Sequence, residues 1–89
     1  MIRLFVRHPV NDFDSWKSTY DAFDAERSGL GVRAHAVYQS ATDPLDVTVW
    51  HDFDNLEAAQ GFVATPQLRE AMKNAGVNAE PTIWFTQPV

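Results

Sequence analysis

The chain has 89 residues, 45% of them hydrophobic and 21% charged, a composition typical of one globular domain. A domain of this size has a small core, so association with a second copy would bury more apolar surface. The formal net charge of −5 disfavours nucleic acid and anionic membranes as partners, and no apolar run approaches the roughly 20 residues that span a bilayer. The absence of cysteine excludes disulfides, thiolate catalysis and sulfur-ligated metals, and the lack of a charged-then-apolar leader predicts a cytoplasmic protein.

The first third of the chain predicts a strand followed by a helix. Residues from Ile2 to Val10 alternate, so that one face carries Ile2, Leu4, Val6 and His8 and the other carries Arg3, Phe5 and Arg7. After Asp12 the apolar period changes to steps of three and four, which predicts one continuous helix. Its stripe consists of Phe13, Trp16, Tyr20, Phe23 and Arg27, and Gly29 and Gly31 end it.

The middle of the chain predicts a hairpin, because residues 32–40 and 45–53 read as strands around the turn-forming tetrapeptide at 41–44. If the turn is centred between Thr42 and Asp43, Tyr38 faces Val47 and His35 faces Trp50. This register places Tyr38 on the same face as His8. It places His35, Val37 and Trp50 on the opposite face.

The second half repeats the pattern of the first. The tripeptide Asp-Phe-Asp occurs at 12–14 and again at 52–54, each time where a strand gives way to a helix, and its acids are expected to cap the helix starts. After Asp54 an apolar face that includes Phe62 predicts the second helix, and Thr65-Pro66 predicts a break and a new cap before a segment that carries Met72. Residues 82–87 predict the last strand.

The order βαββαβ predicts an α+β protein: a single ferredoxin-like domain over residues 1–89, in which both helices cover one face of an antiparallel sheet. The uncovered face would then expose a sizeable apolar patch, which usually marks a contact surface. We therefore expect a homodimer formed through this face. The expected interface residues are Phe5, His35, Val37, Trp50 and Trp84.

Four segments of the chain carry a resemblance to a known family: Val6-Arg7-His8, residues 12–17, the turn Thr42-Asp43-Pro44, and residues 68–77. Through them the whole chain resembles the dimeric α+β barrel proteins, in particular the small bacterial proteins grouped with the antibiotic biosynthesis monooxygenases. The resemblance implies two facing sheets that form a barrel. It also implies a pocket in each subunit between sheet and helices, where the oxygenase members hold flat aromatic substrates.

In the predicted topology His8 and Tyr38 lie at the same end of the helix-covered face, close to the start of the first helix. Imidazole exchanges protons near neutral pH, and a phenol stabilises developing negative charge. These properties predict His8 as a catalytic base and Tyr38 as its assistant. The residues expected to bind a small apolar or aromatic substrate are Trp16, Tyr20, Phe62 and Met72.

The first functional hypothesis is a cofactor-independent oxygenase that acts on a small aromatic or polyketide-like compound and uses no flavin, nucleotide or metal. The three histidines show none of the HxH, HxxxH or HExxH spacings, so no metal site is predicted. Two alternatives stay open: a polyketide cyclase on the same fold, and a non-catalytic dimeric binding or assembly module. A chamber smaller than about 300 Å³ favours the module, since drug-sized ligands need more room.

Overall fold

The computed structural model describes residues 1–77 and 79–89. Its four strands are β1 (Ile2–Pro9), β2 (Ala34–Ser40), β3 (Asp43–Phe53) and β4 (Thr82–Thr86). They form one sheet in the order β2-β3-β1-β4, in which all neighbours are antiparallel. The predicted βαββαβ order and the α+β, ferredoxin-like fold class are therefore confirmed.

Four helices pack on one face of this sheet: α1 (Phe13–Ala22), α2 (Asp24–Gly29), α3 (Leu56–Val63) and α4 (Pro66–Asn74). The predicted break before Pro66 is confirmed, and the Thr65 hydroxyl caps α4 by accepting from the Leu68 N–H at 3.3 Å. None of the helices in the described part of the chain is long and apolar enough to cross a membrane.

The prediction of one continuous helix from Phe13 to Arg27 is wrong, because the helix is interrupted at Phe23. The Phe23 N–H is shared between the carbonyls of Thr19 and Tyr20. The Arg27 guanidinium also donates to the Tyr20 carbonyl at 2.6 Å. The Arg27 side chain thus binds the carbonyl of Tyr20 near the end of α1, and a new helix, α2, begins at Asp24.

The two Asp-Phe-Asp triplets differ in what their acids do. Asp12 caps α1 as predicted, since its carboxylate accepts from the Ser15 N–H at 2.9 Å. The cap of α3 is Asn55 rather than Asp54, and Asp54 pairs with Arg33 instead. The second predicted cap was therefore one residue too early.

The two faces of β1, β3 and β4 are assigned correctly by the sequence pattern. Leu4, Val6 and Val49 are buried beneath the helices, whereas Trp84 on the other face is 39% exposed. Phe5 stacks on Trp84 with 5.2 Å between ring centroids. The aromatic side of the sheet is thus the uncovered one, as the strand alternation predicted.

The predicted register of the hairpin is wrong by one residue. In the structure Tyr38 faces Thr48 and His35 faces His51, so every side chain of β2 lies on the face opposite to the predicted one. The cause is an irregularity near the turn: Ser40 faces Asp43, but Gln39 faces Val47, which leaves three residues of β3 without direct partners on β2.

Because of this difference in register, three residues lie on the face opposite to the predicted one. Tyr38 lies on the uncovered face, where it is 56% exposed, and does not approach His8. His35 and Val37 lie on the helix-covered side instead of the predicted dimer face. Val37 packs against the core, and His35 contacts Tyr20 of α1. Two local hydrogen bonds hold the irregular segment, one from Gln39 to the Pro44 carbonyl and one from the Leu45 N–H to Asp43.

Candidate functional site

A chamber of about 50 Å³ lies between the covered face of the sheet and the helices. Its walls are mainly apolar, but they include two histidines, one tyrosine and one arginine. The lining residues are Val6, His8, Trp16, Thr19, Tyr20, Phe23, Arg27, Val49, His51, Phe62, Leu68, Ala71, Met72, Ala75 and Ile83. The chamber is therefore a small apolar space with a few titratable groups in its wall.

His8 forms one end of the chamber. It comes from the covered face of β1 and is 3% exposed, with its ring 5.6 Å from that of Trp16. Among the described residues, no hydrogen-bond partner reaches its buried Nδ1. Burial lowers the pKa of His8, because the charged form loses its hydration, and the ring is neutral at pH 7. A neutral imidazole is able to accept a proton.

His51 lies toward the other end, on β3. Its ring is 5.2 Å from Phe62 and 5.9 Å from His35, on which it stacks. Burial lowers the pKa of His51 to about 3, and the positive charge of Arg27 acts in the same direction. Its Nδ1 also has no hydrogen-bond partner within the described part of the chain. This second imidazole is uncharged throughout the physiological pH range.

Arg27 places a buried positive charge beside these rings, at 2% exposure. Its guanidinium lies 3.9 Å above the centroid of the Tyr20 ring and donates to Asp24 at 3.2 Å, in addition to its bond to the Tyr20 carbonyl. Its Nε has no partner among residues 1–77 and 79–89. A buried guanidinium of this kind favours negative charge that develops nearby.

Tyr20, His35 and Asp24 form a hydrogen-bonded chain at the same end. The Tyr20 hydroxyl is 2.6 Å from Nδ1 of His35, and Nε2 of His35 is 3.1 Å from the Asp24 carboxylate. Burial raises the pKa of Tyr20 to about 12, an effect that the charge of Arg27 partly opposes. The phenol therefore stays protonated at neutral pH.

Sequence reasoning missed this chain of groups. The predicted continuous helix places Tyr20 and Asp24 four residues apart on one face, but the register error put His35 on the other side of the sheet. Of the residues predicted for the site, the structure brings together His8, Trp16, Tyr20, Phe62 and Met72 in the chamber wall and leaves Tyr38 outside it. Their roles in binding and catalysis stay predictions.

The uncovered face carries a different kind of chemistry. Arg3 lies 3.7 Å above the Trp50 ring and makes two hydrogen bonds to Asp52, at 2.8 and 3.0 Å. Phe5 and Trp84 continue this surface as a stacked pair. No group of three or more histidine, aspartate or glutamate side chains in the described residues is arranged to hold a metal ion.

No protein-family model and no curated protein sequence matches this chain. Solved structures do match it over nearly its whole length. A candidate antibiotic biosynthesis monooxygenase of Bordetella bronchiseptica superposes with a TM-score of 0.86 at 15% identity, covering 99% of this chain and 96% of its own. SnoaB of Streptomyces nogalater, a cofactor-independent oxygenase, superposes with a TM-score of 0.81 at 10% identity, covering 99% of this chain and 92% of its own.

A candidate antibiotic biosynthesis monooxygenase of Deinococcus radiodurans gives a TM-score of 0.73 at 16% identity, with coverage of 100% of this chain and 93% of its own. At such low identities the likeness shows the fold alone. The chain has the fold of the antibiotic biosynthesis monooxygenase-like proteins, which agrees with the resemblance seen in its sequence.

Proposed function

We propose that this protein is a cofactor-independent oxygenase that acts on a small aromatic compound with an acidic C–H or O–H group. The observation that carries the proposal is His8, a buried, uncharged imidazole in the wall of an apolar chamber; His51, with a pKa of about 3, is too weak a base for this role. A neutral imidazole next to apolar walls is suited to take a proton from a weakly acidic ligand. The fold that the chain shares with SnoaB supports the same class of reaction.

In this proposal His8 accepts a proton from the ligand. With an anthrone as substrate, the C–H bond breaks and its electron pair stays on the carbanion, which reduces dioxygen. A C–O bond to the oxygen forms, and the peroxide anion takes the proton back from His8. The hydroperoxide then loses its O–O bond and the remaining C–H hydrogen as water to leave a quinone. One dioxygen thus supplies the oxygen atoms of the new carbonyl and of one water. Trp16 and Phe62, whose rings line the chamber, would flank the flat ligand.

The size of the chamber sets a condition on this reaction. A volume of about 50 Å³ is sufficient for water or dioxygen but too small for an aromatic ring system. Helix α4 would therefore have to move outward when a substrate binds. The same small volume supports the second candidate, a binding or assembly module whose interior is filled by its own side chains.

Oxygen consumption measured with a panel of anthrones and naphthols tests the proposal. We expect turnover by the wild type and a loss of at least about 100-fold in His8→Ala, the usual contribution of a general base. Arg7→Gln is the matched control, because Arg7 is the neighbouring residue on the opposite face. Unchanged turnover in His8→Ala contradicts the role of His8, product without oxygen uptake identifies a cyclase, and no turnover with any compound favours the module.

We also propose that two copies associate back to back through the uncovered face, around Phe5, Trp50 and Trp84. The support is the partly exposed aromatic surface on a domain with a small core. Sedimentation is expected to give a dimer mass for the wild type at micromolar concentration and a monomer mass for Trp84→Asp. Leu56→Asp, at a similarly exposed residue of α3, is expected to remain dimeric. A monomer mass for the wild type contradicts this proposal.

A further inference from the structure

We propose that Tyr20, His35 and Asp24 form a proton relay that carries the proton of a ligand hydroxyl group from the chamber to solvent. The inference rests on the proposed function, since it assigns the ligand class as hydroxyaromatic and adds a second route for its proton. It differs from the role of His8, which comes from β1, and the ring of Trp16 contacts both His8 and Tyr20.

The direction of each hydrogen bond in the relay follows from the chemistry of the groups. The Asp24 carboxylate accepts only, so Nε2 of His35 carries the hydrogen of the 3.1 Å contact. In the neutral ring Nδ1 is then without hydrogen and accepts from the Tyr20 hydroxyl at 2.6 Å. The phenol oxygen keeps its lone pairs to accept a hydrogen bond from a ligand.

The three groups also lie in order of increasing exposure. Tyr20 is a partly buried residue of the chamber wall. The side chain of His35 is 32% exposed, and that of Asp24 is 69% exposed. A proton that enters the relay in the chamber therefore reaches a group in contact with water two hydrogen bonds later.

The relay works as a concerted shift. The ligand O–H bond breaks and a new O–H bond forms on Tyr20, while the former Tyr20 proton moves to Nδ1 of His35. The ring becomes an imidazolium paired with Asp24, and its Nε2 proton later passes to water, so charge and protons balance. Because burial raises the pKa of Tyr20 to about 12, the tyrosine passes protons on without itself remaining ionised.

The charges around the relay form two close pairs, Arg27 with Asp24 and Lys17 with Asp21, and Arg27 is the buried member. Arg27 of α2 lies over the Tyr20 ring at 3.9 Å, and Lys17 of α1 lies 5.9 Å from the ring centroid. Lys17 is paired with Asp21, whose carboxylate opposes its effect. His51 of β3 stacks on His35 and is uncharged. The nearest group that keeps a positive charge in the interior is thus Arg27.

Binding of 4-nitrophenol without oxygen tests the relay, because its phenolate absorbs visible light and its phenol does not. After the shift the Tyr20 hydroxyl, held in turn by His35, donates a hydrogen bond to the phenolate. We therefore expect the phenol bound to the wild type to ionise at a pH at least one unit lower than the phenol bound to Tyr20→Phe, a tenfold difference. His35→Gln is a second variant, at an exposed residue, that interrupts the same path. Asp24→Asn is expected to weaken the effect, and Asp21→Asn, with the same charge change on α1, is expected not to weaken it, because it removes the carboxylate that opposes Lys17.

Equal ionisation of the bound probe in the wild type, Tyr20→Phe and His35→Gln overturns the proposal. Failure of the wild type to bind millimolar 4-nitrophenol overturns it as well, since the relay requires a hydroxyaromatic ligand. The two proposals fail separately. If the relay ionises the probe but the protein consumes no oxygen, only the oxygenase proposal is refuted. If oxygen uptake depends on His8 but the probe ionises normally in Tyr20→Phe, only the relay is refuted.

Discussion

The two halves of the chain have the same βαβ order but contribute differently to the chamber. The half from β1 to β2 supplies His8, Tyr20 and Arg27 to the chamber wall, and His35 and Asp24 are joined to Tyr20 by hydrogen bonds outside it. The half from β3 to β4 supplies His51 and a mainly apolar wall. Its apolar members are Val49, Phe62, Leu68, Ala71, Met72, Ala75 and Ile83.

The halves also differ in how their broken helices are held. In the first half the break at Phe23 is bridged by the buried Arg27, which joins α1 to α2. In the second half the break is held by the cap at Thr65, and within the described residues α4 buries no side chain completely. The comparison separates α4 from the other helices, because α1, α2 and α3 each bury at least one side chain and α4 buries none within the described residues. Helix α4 is the part of the chamber wall that costs least to displace.

The largest expected effect is that of Trp16→Ala. Trp16 is 3% exposed and contacts His8, Phe13 and Tyr20, so its truncation should lower the free energy of unfolding by about 3–5 kcal/mol. Met72→Ala removes a partly buried side chain from α4 and should cost less than half as much. Urea unfolding measures both. Equal losses contradict the view that α4 is packed less firmly than α1.

The next effect is a loss of stability in acid caused by His51. Its pKa is about 3 in the folded protein and about 6.5 in the unfolded chain, so unfolding takes up a proton between these values. Stability is complete above pH 6.5 and falls as the pH decreases, by up to about 1.4 kcal/mol per unit. Between pH 6.5 and 4.5 this amounts to about 2 kcal/mol.

His51→Gln is the matched variant, because glutamine does not titrate. Urea unfolding at several pH values should show a smaller slope below pH 6.5 in this variant, while the lowered pKa of His8 leaves a residual slope of the same sign. Above pH 7 the slopes of the two proteins should agree. An unchanged slope below pH 6.5 means that His51 is not held uncharged by burial.

Much of the fold follows from the sequence, because alternation and helical periodicity mark burial directly. Leu4, Val6 and Trp84 all lie on their predicted faces, and Thr65-Pro66 caps α4 as expected. The register of β2, by contrast, cannot be predicted from the sequence pattern. It depends on the irregular pairing near Ser40, which local hydrogen bonds hold and which no period-two pattern reveals.

This single slip explains why the site was only partly predictable. His8, Trp16 and Phe62 lie on elements whose faces are set by strong apolar patterns, so their place in the chamber wall follows from sequence. His35 and Tyr38 lie on β2, whose short alternating stretch fits either register. Only the three-dimensional structure shows that His35 lies on the covered face, next to Tyr20, and that Tyr38 lies on the uncovered face.

A smaller effect is expected for Thr65→Ala, which removes the cap of α4. Its hydroxyl accepts from the Leu68 N–H and donates to the Phe62 carbonyl, so the loss should be about 1 kcal/mol, the usual value for a cap. Because α4 carries part of the chamber wall, we also expect hydrogen exchange of its amides to increase. Exchange that rises equally in α1 contradicts the assignment of α4 as the separately mobile part.

The smallest effect is a gain of stability in Gly61→Ala. Gly61 is an exposed residue inside α3, and no atom of the described residues lies within 4 Å of the added Cβ. Alanine should therefore stabilise the protein by about 0.5–1 kcal/mol by restricting the unfolded chain. The same change at Gly31 should destabilise, because its φ of +97° disfavours side chains. If α4 alone opens the chamber, Gly61→Ala leaves the affinity for 4-nitrophenol unchanged, and weaker binding means that α3 moves as well.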